Sequence, residues 1–447
     1  MCLIVGFLFI IILVSIFFFF YNKTNNIFNP ISYLVLLFLI RNFFYLVKIS
    51  NDPTLMNDSL PISIDDPEFL LLKYFVFQIL FFLVLSLSYN FFTNNFFYAN
   101  YKSNFSTLVV SVGVIKKFLY MSFLFSFVSF LIYFFSVGSL NGIIMNFADR
   151  SEIMNKNIFI QFSIRLAPFV LYASLFLYIA KKMALRTFFF YLLYVLISLL
   201  GFGSRTLAFT PLLGGIIMWC LCTNNMKIGS LKKFFLPAIC FLPFFLIISD
   251  LRKPDRVDLF LSNSGEYINT LLEEEFNTSS FVDKQLSGVN ISLFILTHYD
   301  KNNQWYGKGV VDLLFAPIPR SIYEEKSPVD EGRYITAAAQ GMDFKPPTSL
   351  TKLPKYGWPP GSFGLGYINA GIVGILLFAF MRGFILSCIC NRCLQNIRKD
   401  SFYYIVVYFL TIHFFDLTNL NSFNYLTHIM TFFIFYRMSK FLNLNKK

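Results

Sequence analysis

"FFLPAICFLPFFLIIS" at residues 234–249 runs straight into "DLRKPDRVD" at 250–258, and this junction decides the fold. The first segment reads as a membrane span. The second opens a stretch of 112 residues, Asp250 to Gly361, with no uninterrupted 18-residue apolar run, so it cannot cross a bilayer as a helix. It is expected to fold in water at one membrane face. It holds 15 of the 24 carboxylates and 12 of the 37 Lys and Arg, which makes the loop −3 and the rest of the chain +16. The basic character therefore belongs to the membrane part and not to a nucleic-acid surface.

Composition supports a polytopic membrane protein. The chain is 56% hydrophobic and 14% charged, with a mean hydropathy of +0.62, where soluble proteins carry about 25% charged residues. The 61 phenylalanines are given no functional weight. The apolar start, Met1 to Tyr21, lacks a basic n-region and a small-residue cleavage site before Lys23, so it reads as a first span. None of the seven cysteines falls between Asp250 and Gly361. The loop is then expected to owe its order to packing on the membrane part, or to ligand, and not to disulfides.

Apolar windows place spans near 3–20, 28–47, 69–90, 118–137, 158–180, 187–202, 206–222, 234–249, 362–386, 402–415 and 425–436. The expectation is an all-α polytopic protein of about 11 transmembrane helices (10–12). Residues 1–249 carry spans one to eight, 250–361 the large loop, and 362–447 spans nine to eleven. One set of alternate connectors carries 17 basic residues, among them Lys116, Lys117, Lys181, Lys182, Lys232, Lys233, Arg398, Lys399, Arg437 and Lys440. The other short connectors carry only Lys48, Arg150, Lys156 and Arg205. The positive-inside rule then makes the first set cytoplasmic and the long loop external, which is periplasmic in a bacterium with two membranes.

"GFGSR" (201–205) reads as the turn of a tight hairpin, leaving Arg205 at the external lip of the seventh span. An amphipathic helix is expected around Glu266 to Phe276. Pro359, Pro360 and Gly361 stop any structure before the ninth span, whose Gly364, Gly366, Gly371 and Gly374 would let another helix or a lipid approach closely. No internal repeat or coiled-coil heptad is present.

Apart from Asp416 near an outer end, no carboxylate lies inside these spans, which argues against a proton- or sodium-coupled transporter. The spans instead contain Arg41, Arg165, Arg205 and Arg382. Arginine matches phosphate oxygens bidentately and stays charged when dehydrated, so Arg165 and Arg205, toward the outer side, suit a phosphate or diphosphate site. For Arg41 and Arg382 a snorkelling arginine is the preferred reading. In the loop, "YGKGVVDLLFAPIPRSIYEEKSP" (306–328) holds Arg320 and Lys326 on a proline-stiffened segment flanked by Tyr306 and Tyr323, a pattern that suits sugar binding. Arg252, Arg256 and Arg333 add external charge, although such groups are more often salt-bridged surface. His298, the loop's one histidine, is a candidate general base, in competition with Glu324 and Glu325. No Asp-x-Asp, Walker A or HExxH pattern occurs, and "CICNRC" (388–393) lacks a fourth ligand nearby, so no metal or other cofactor is expected.

The glycine-flanked "GSR" hairpin, the Pro-Arg segment followed by Lys-x-Pro in "PIPRSIYEEKSP" (317–328), and the return to the membrane in "PGSFGLGYINAGIVG" (360–374) occur in that order. With the span layout, this resembles the bacterial O-antigen polymerases, the Wzy type of oligosaccharide repeat-unit polymerase. The resemblance covers roughly residues 160 to 385 in motif terms. It implies a metal-independent glycosyltransferase of GT-C-like architecture in the bacterial inner membrane. Such an enzyme transfers a growing glycan from undecaprenyl diphosphate to an incoming undecaprenyl-diphosphate-linked repeat unit at the periplasmic face. Donor and acceptor glycans, membrane lipid and a chain-length regulator would be the partners, with no nucleic acid.

By the same resemblance Arg205 matches the hairpin arginine, Arg320 the arginine of the Pro-Arg motif and Lys326 the following lysine. The expected catalytic set is Arg205, Arg320 and His298, with Arg165, Lys326, Arg333, Tyr323 and Arg252 binding substrate. His298 has no firm counterpart in the motifs, and the base stays open. Arg320 and Lys326 are expected to face Arg205 at a shared diphosphate site. An O-antigen ligase shares the donor and the arginine chemistry, and a flippase or transporter of lipid-linked glycans is the alternative from another class.

Overall fold

The structure is a computed structural model of the 447-residue chain. It describes residues 2–56, 60, 64–96, 111–138, 158–201, 205–223, 227, 229, 247, 250–251, 254–275, 287–299, 303–316, 318, 322–323 and 325–444. Among these residues all regular structure is helical. In chain order the α-helices are α1 (Cys2–Thr24), α2 (Pro30–Asn51), α3 (Pro67–Phe96), α4 (Val112–Val137), α5 (Ile158–Ile179), α6 (Leu185–Leu200), α7 (Arg205–Thr223), α8 (Pro254–Ser262), α9 (Ser264–Glu275), α10 (Ser287–His298), α11 (Lys308–Leu314), α12 (Gly332–Ala339), α13 (Gly361–Asn396), α14 (Ser401–Phe414) and α15 (Asn419–Leu444). Helices α1, α2, α3, α4 and α13 are each long and apolar enough to cross a membrane, and α5, α6, α7, α10 and α14 include shorter apolar stretches. This is the pattern of a multi-pass membrane protein. The expected span at 234–249 lies outside the described residues except for Ile247.

The surface is inverted relative to a water-soluble helix. On α4, Ser122, Ser126 and Ser129, spaced to share one face, are buried, while Phe125, Val128 and Phe135 are exposed, the last at 73%. The Ser126 hydroxyl lies 2.6 Å from the Tyr194 hydroxyl of α6. Polar groups inside and apolar groups outside are what hydrocarbon demands, because an unpaired hydroxyl facing lipid has no water to bond. Helix starts and stops follow ordinary end chemistry. Asn29 caps α2 by accepting the Ile31 N–H at 3.1 Å, with Pro30 at the first helical position. Gly138 closes α4 in the left-handed conformation (φ 81°), its N–H bonded to the Phe134 carbonyl.

The chain forms two compact units. The first comprises Met1–Ala99, Ser279–Arg392 and Leu410–Thr427, the second Asn100–Thr278, Cys393–Phe409 and His428–Lys447. In the first, α1 packs on α2 and α3, and α10 packs on α3 and α12. In the second, α5 packs against α4, α6 and α7. The expected loop helix is α9, entered through Asn263, whose side chain accepts the Glu266 N–H at 3.3 Å and donates to the Glu266 carboxylate at 3.1 Å. Tyr267 and Leu271, one turn apart, are buried with Tyr133, Ile164 and Leu251.

The ninth span differs from expectation. Within α13 the backbone leaves helical values at Ala370 (φ −155°, ψ 32°) and Gly371 (φ 57°, ψ −138°), so a short buried helix ends there and a longer one begins. The two run back along each other. A Cβ on Gly366 would lie 2.7 Å from the Gly374 carbonyl oxygen, and one on Gly374 would fall on the Gly366 carbonyl oxygen. Gly366 and Gly374 thus serve a close approach inside one element, whereas at Gly364 a Cβ would lie 2.8 Å from the Ile295 side chain of α10, so there a neighbouring helix closes in as expected. Gly383 also lets a neighbour close in, for a Cβ there would stand 2.5 Å from the Leu85 carbonyl oxygen of α3.

Gly374→Ala is therefore expected to destabilise the purified protein by about 1–3 kcal/mol, the range for overpacking a filled site. Gly265→Ala, whose Cβ would meet only the Asn263 side chain at 3.7 Å, should change little. Thermal unfolding of the two variants in detergent makes the comparison.

Candidate functional site

The break in α13 leaves carbonyls at the end of its first segment without helical partners. The loop supplies donors: the Trp305 N–H reaches the Ile368 carbonyl at 2.9 Å, the Tyr306 N–H the Asn369 carbonyl at 3.3 Å, and the Gly307 N–H the Asn369 side-chain oxygen at 2.8 Å. Presenting three successive N–H groups costs backbone strain. Tyr306 has φ 49° and Gly307 φ 82°, a conformation rare for a bulky residue. Trp305 is buried edge-on between Tyr299 (5.8 Å) and Tyr334 (5.6 Å), while Tyr306 is left exposed.

From this anchor α11 leads into the Pro-Arg segment. Asp312, buried near the end of α11, accepts hydrogen bonds from the Ser327 hydroxyl and from the Tyr334 hydroxyl at 2.9 Å. Tyr334 accepts in turn from the Thr348 N–H at 3.1 Å. Burial raises the Asp312 carboxyl above the ordinary range, and the Ser327 and Tyr334 hydrogen bonds oppose it. Lys326, six residues after Arg320, is 6% exposed, and its ammonium donates to the Ala316 carbonyl at 2.7 Å and the Ile318 carbonyl at 2.8 Å. It thus ties the entrance of the Pro-Arg segment to its exit. Between the ties, Ile322 is 76% exposed and Tyr323 43%, with the Tyr323 ring edge-on to Phe315 at 5.9 Å.

A second tie was not apparent from the sequence. Glu331 is 1% exposed, and its carboxylate accepts the N–H of Asn419 and, at 3.4 Å, that of Leu420. These are the first residues of α15, where N–H groups lack helical acceptors and the dipole favours negative charge. The Asn419 side chain donates to the Gly309 carbonyl at 2.6 Å. Burial pushes the Glu331 carboxyl from its ordinary 4.5 up to about 8, outweighing the N–H bonds that favour its charge, with Asp330 adding to the rise. "LTN" (417–419), a helix-start signal just before an apolar run, is what could have placed the start of α15 six residues before the expected 425. No signal of that kind marks Glu331.

The other expected residues fall as follows. His298, the last residue of α10, is half-buried, stacked on Phe294 (5.2 Å between centroids, 11° between planes) and edge-on to Tyr299 at 5.0 Å. Trp358 meets the same Phe294 edge-on at 6.0 Å. Arg333 is half-buried, donating to the Pro354 carbonyl at 3.2 Å and lying 4.0 Å from the Asp330 carboxylate. Arg165 is half-buried on α5, and Arg205 is the first residue of α7. Arg252, Arg320 and Glu324 lie outside the described residues. His298, Lys326, Tyr323 and Arg333 therefore belong to the first compact unit, and Arg165 and Arg205 to the second. Of the arginines read as snorkelling, Arg382 pairs with Asp416 at 3.2 Å, and the Arg41 guanidinium lies beside Gly288. Among the described residues no group of three or more His, Cys, Asp or Glu gathers as a metal ion would need.

Compared with protein-family models, curated proteins and solved structures, the chain matches none of them.

Two outcomes test these ties. The folded Glu331 binds its proton more tightly than the unfolded chain does, so its contribution to stability falls as pH rises from about 4.5 through about 8 and is level outside that window. Glu331→Gln should flatten the thermal midpoint between pH 5 and 8 relative to the parent. Lys326→Met leaves two carbonyls unmet, one of them on a buried residue, and should cost about 1–3 kcal/mol. It is expected to speed proteolysis within 315–330 before any loss elsewhere.

Proposed function

We propose that this chain is an O-antigen polymerase of the Wzy type, joining undecaprenyl-diphosphate-linked oligosaccharide repeats at the periplasmic face of the bacterial inner membrane. The observation that carries the reading is the order of the "GSR" hairpin, the Pro-Arg segment with its following lysine, and the glycine-rich return to the membrane, in an apolar chain whose regular structure is helical among the described residues. In this reading the architecture is GT-C-like, with about 11 spans and residues 250–361 as the periplasmic loop.

The chemistry asks for cations more than for a metal. A hydroxyl on the terminal sugar of the incoming repeat attacks the anomeric carbon of the donor glycan. The bond from that carbon to the diphosphate oxygen breaks, and undecaprenyl diphosphate leaves with the electron pair. Arg205 and Arg320 are assigned to the charge that builds on the leaving oxygen, because a guanidinium fork fits it and needs no reorganisation as the bond breaks. Lys326, with its ammonium on two main-chain carbonyls, is assigned as a positioning residue that shapes the segment bearing Arg320. Tyr323 and Tyr306, exposed on either side of that segment, suit stacking against sugar rings. The hydroxyl proton goes to a base, for which His298 remains the candidate beside Glu324 and Glu325.

Arg205→Ala and Arg320→Ala should each leave the protein inserted while lowering transfer by about 10²–10³, the cost of losing one donor to a developing anion. On a polysaccharide gel the long-chain ladder should collapse to a single repeat on the lipid A core. Unchanged long-chain banding in both variants would sink the assignment, and loss of all O-antigen from the core would indicate a ligase.

A further inference from the structure

A cavity of about 310 Å³ lies in the second compact unit, where the start of α14 meets the last turns of α15. It is lined by Lys399, Asp400, Tyr403, Tyr404, Tyr436 and Arg437, with Phe433 and Lys440 at its wall. Its one carboxylate is already committed. Asp400 accepts the Tyr436 hydroxyl at 2.7 Å, meets the Lys440 ammonium at 2.7 Å and caps α14 through the Tyr403 N–H at 3.3 Å. With Lys440 balancing Asp400, Lys399 and Arg437 leave the lining with two positive charges.

The surroundings point to the kind of anion. Arg437 is exposed, its guanidinium 5.0 Å over the Phe433 ring, and on the same helix Phe433, Ile434, Met438, Phe441 and Leu442 are all exposed. A free water-soluble anion would have no use for that apolar flank. A phospholipid uses both parts, because its phosphate needs fixed cations at the polar boundary and its chains need apolar side chains next to them. We propose that this cavity binds the phosphate headgroup of an anionic phospholipid, with Lys399 and Arg437 on the phosphate and the acyl chains running back along the exposed Met430, Phe433 and Ile434. None of its lining residues is among those assigned to glycan transfer. It lies at the end of α15 carrying Arg437 and Lys440, opposite the end that meets Glu331.

The test uses the full-length chain, purified and placed in nanodiscs of phosphatidylcholine alone or with phosphatidylglycerol, and compares bound lipid by native mass spectrometry and melting by tryptophan fluorescence. Phosphatidylglycerol should be retained in preference to phosphatidylcholine and should raise the melting midpoint. Lys399→Gln and Arg437→Gln should each weaken retention roughly fivefold, the worth of one basic residue near an anionic surface. Melting in phosphatidylcholine alone reports the fold of each variant, and the lipid-dependent increment reports the site. Equal retention of the two lipids, or an unchanged increment in the double variant, overturns the proposal. Inorganic phosphate at millimolar concentration reproducing the whole increment would assign the site to free phosphate and overturn the lipid reading.

Discussion

The first compact unit depends on how the carbonyls at Ile368 and Asn369 are met. A helix broken inside an apolar setting exposes backbone acceptors that hydrocarbon cannot satisfy, at several kcal/mol for each unmet group. Irregular backbone survives there only where protein donors reach it. Trp305, Tyr306 and Gly307 provide them, and the strained φ of Tyr306 is tolerated because the alternative is worse. This sets the path of the loop, since α11 must start within two residues of those donors. The positions of Asp312, Lys326 and Glu331 follow from that start.

The fold was legible in the sequence where it rests on hydropathy. Ten of the eleven expected spans coincide with helices, the span at 234–249 lying outside the described residues, and α9 stands where its amphipathic pattern put it. Hydropathy could not show the break at Ala370 and Gly371, because the first segment of α13 is far shorter than a span-length window, which averages over the reversal. The glycines were visible, but spacing alone does not say whether they serve a neighbouring helix or the chain's own return. That distinction needs the contact between Gly366 and Gly374. The candidate site was legible as a set of cations and not as a set of roles. Lys326 looked like a ligand because lysine is charged, yet its stem is buried and its ammonium holds Ala316 and Ile318. Arg382 read as snorkelling, and its partner Asp416, 34 residues on, belongs to another helix end that no local pattern links to it.

Buried carboxylates recur in the loop. Asp312 meets hydroxyls and Glu331 meets helix N–H groups. Neither rests on an arginine or lysine among the bonds that hold it. Carboxylates held by neutral donors in this way draw no cation into an ion pair. Among the described residues, Arg333 with Asp330 at 4.0 Å and Arg256 with the buried Asp250 at 3.8 Å are counter-examples, both long for ion pairs.

The serines of α4 have a consequence for alignment. Ser126 and Tyr194 pair across α4 and α6 at 2.6 Å in a setting whose outer face is phenylalanine and valine. Dispersion between apolar side chains is nearly indifferent to sliding one helix along another, since every register offers similar contacts. A hydroxyl pair is not indifferent. A slip of one turn moves each group about 5.4 Å and strands both where water is absent. In a chain so rich in interchangeable phenylalanines, a few small polar residues thus act as detents that select one alignment among many of nearly equal packing.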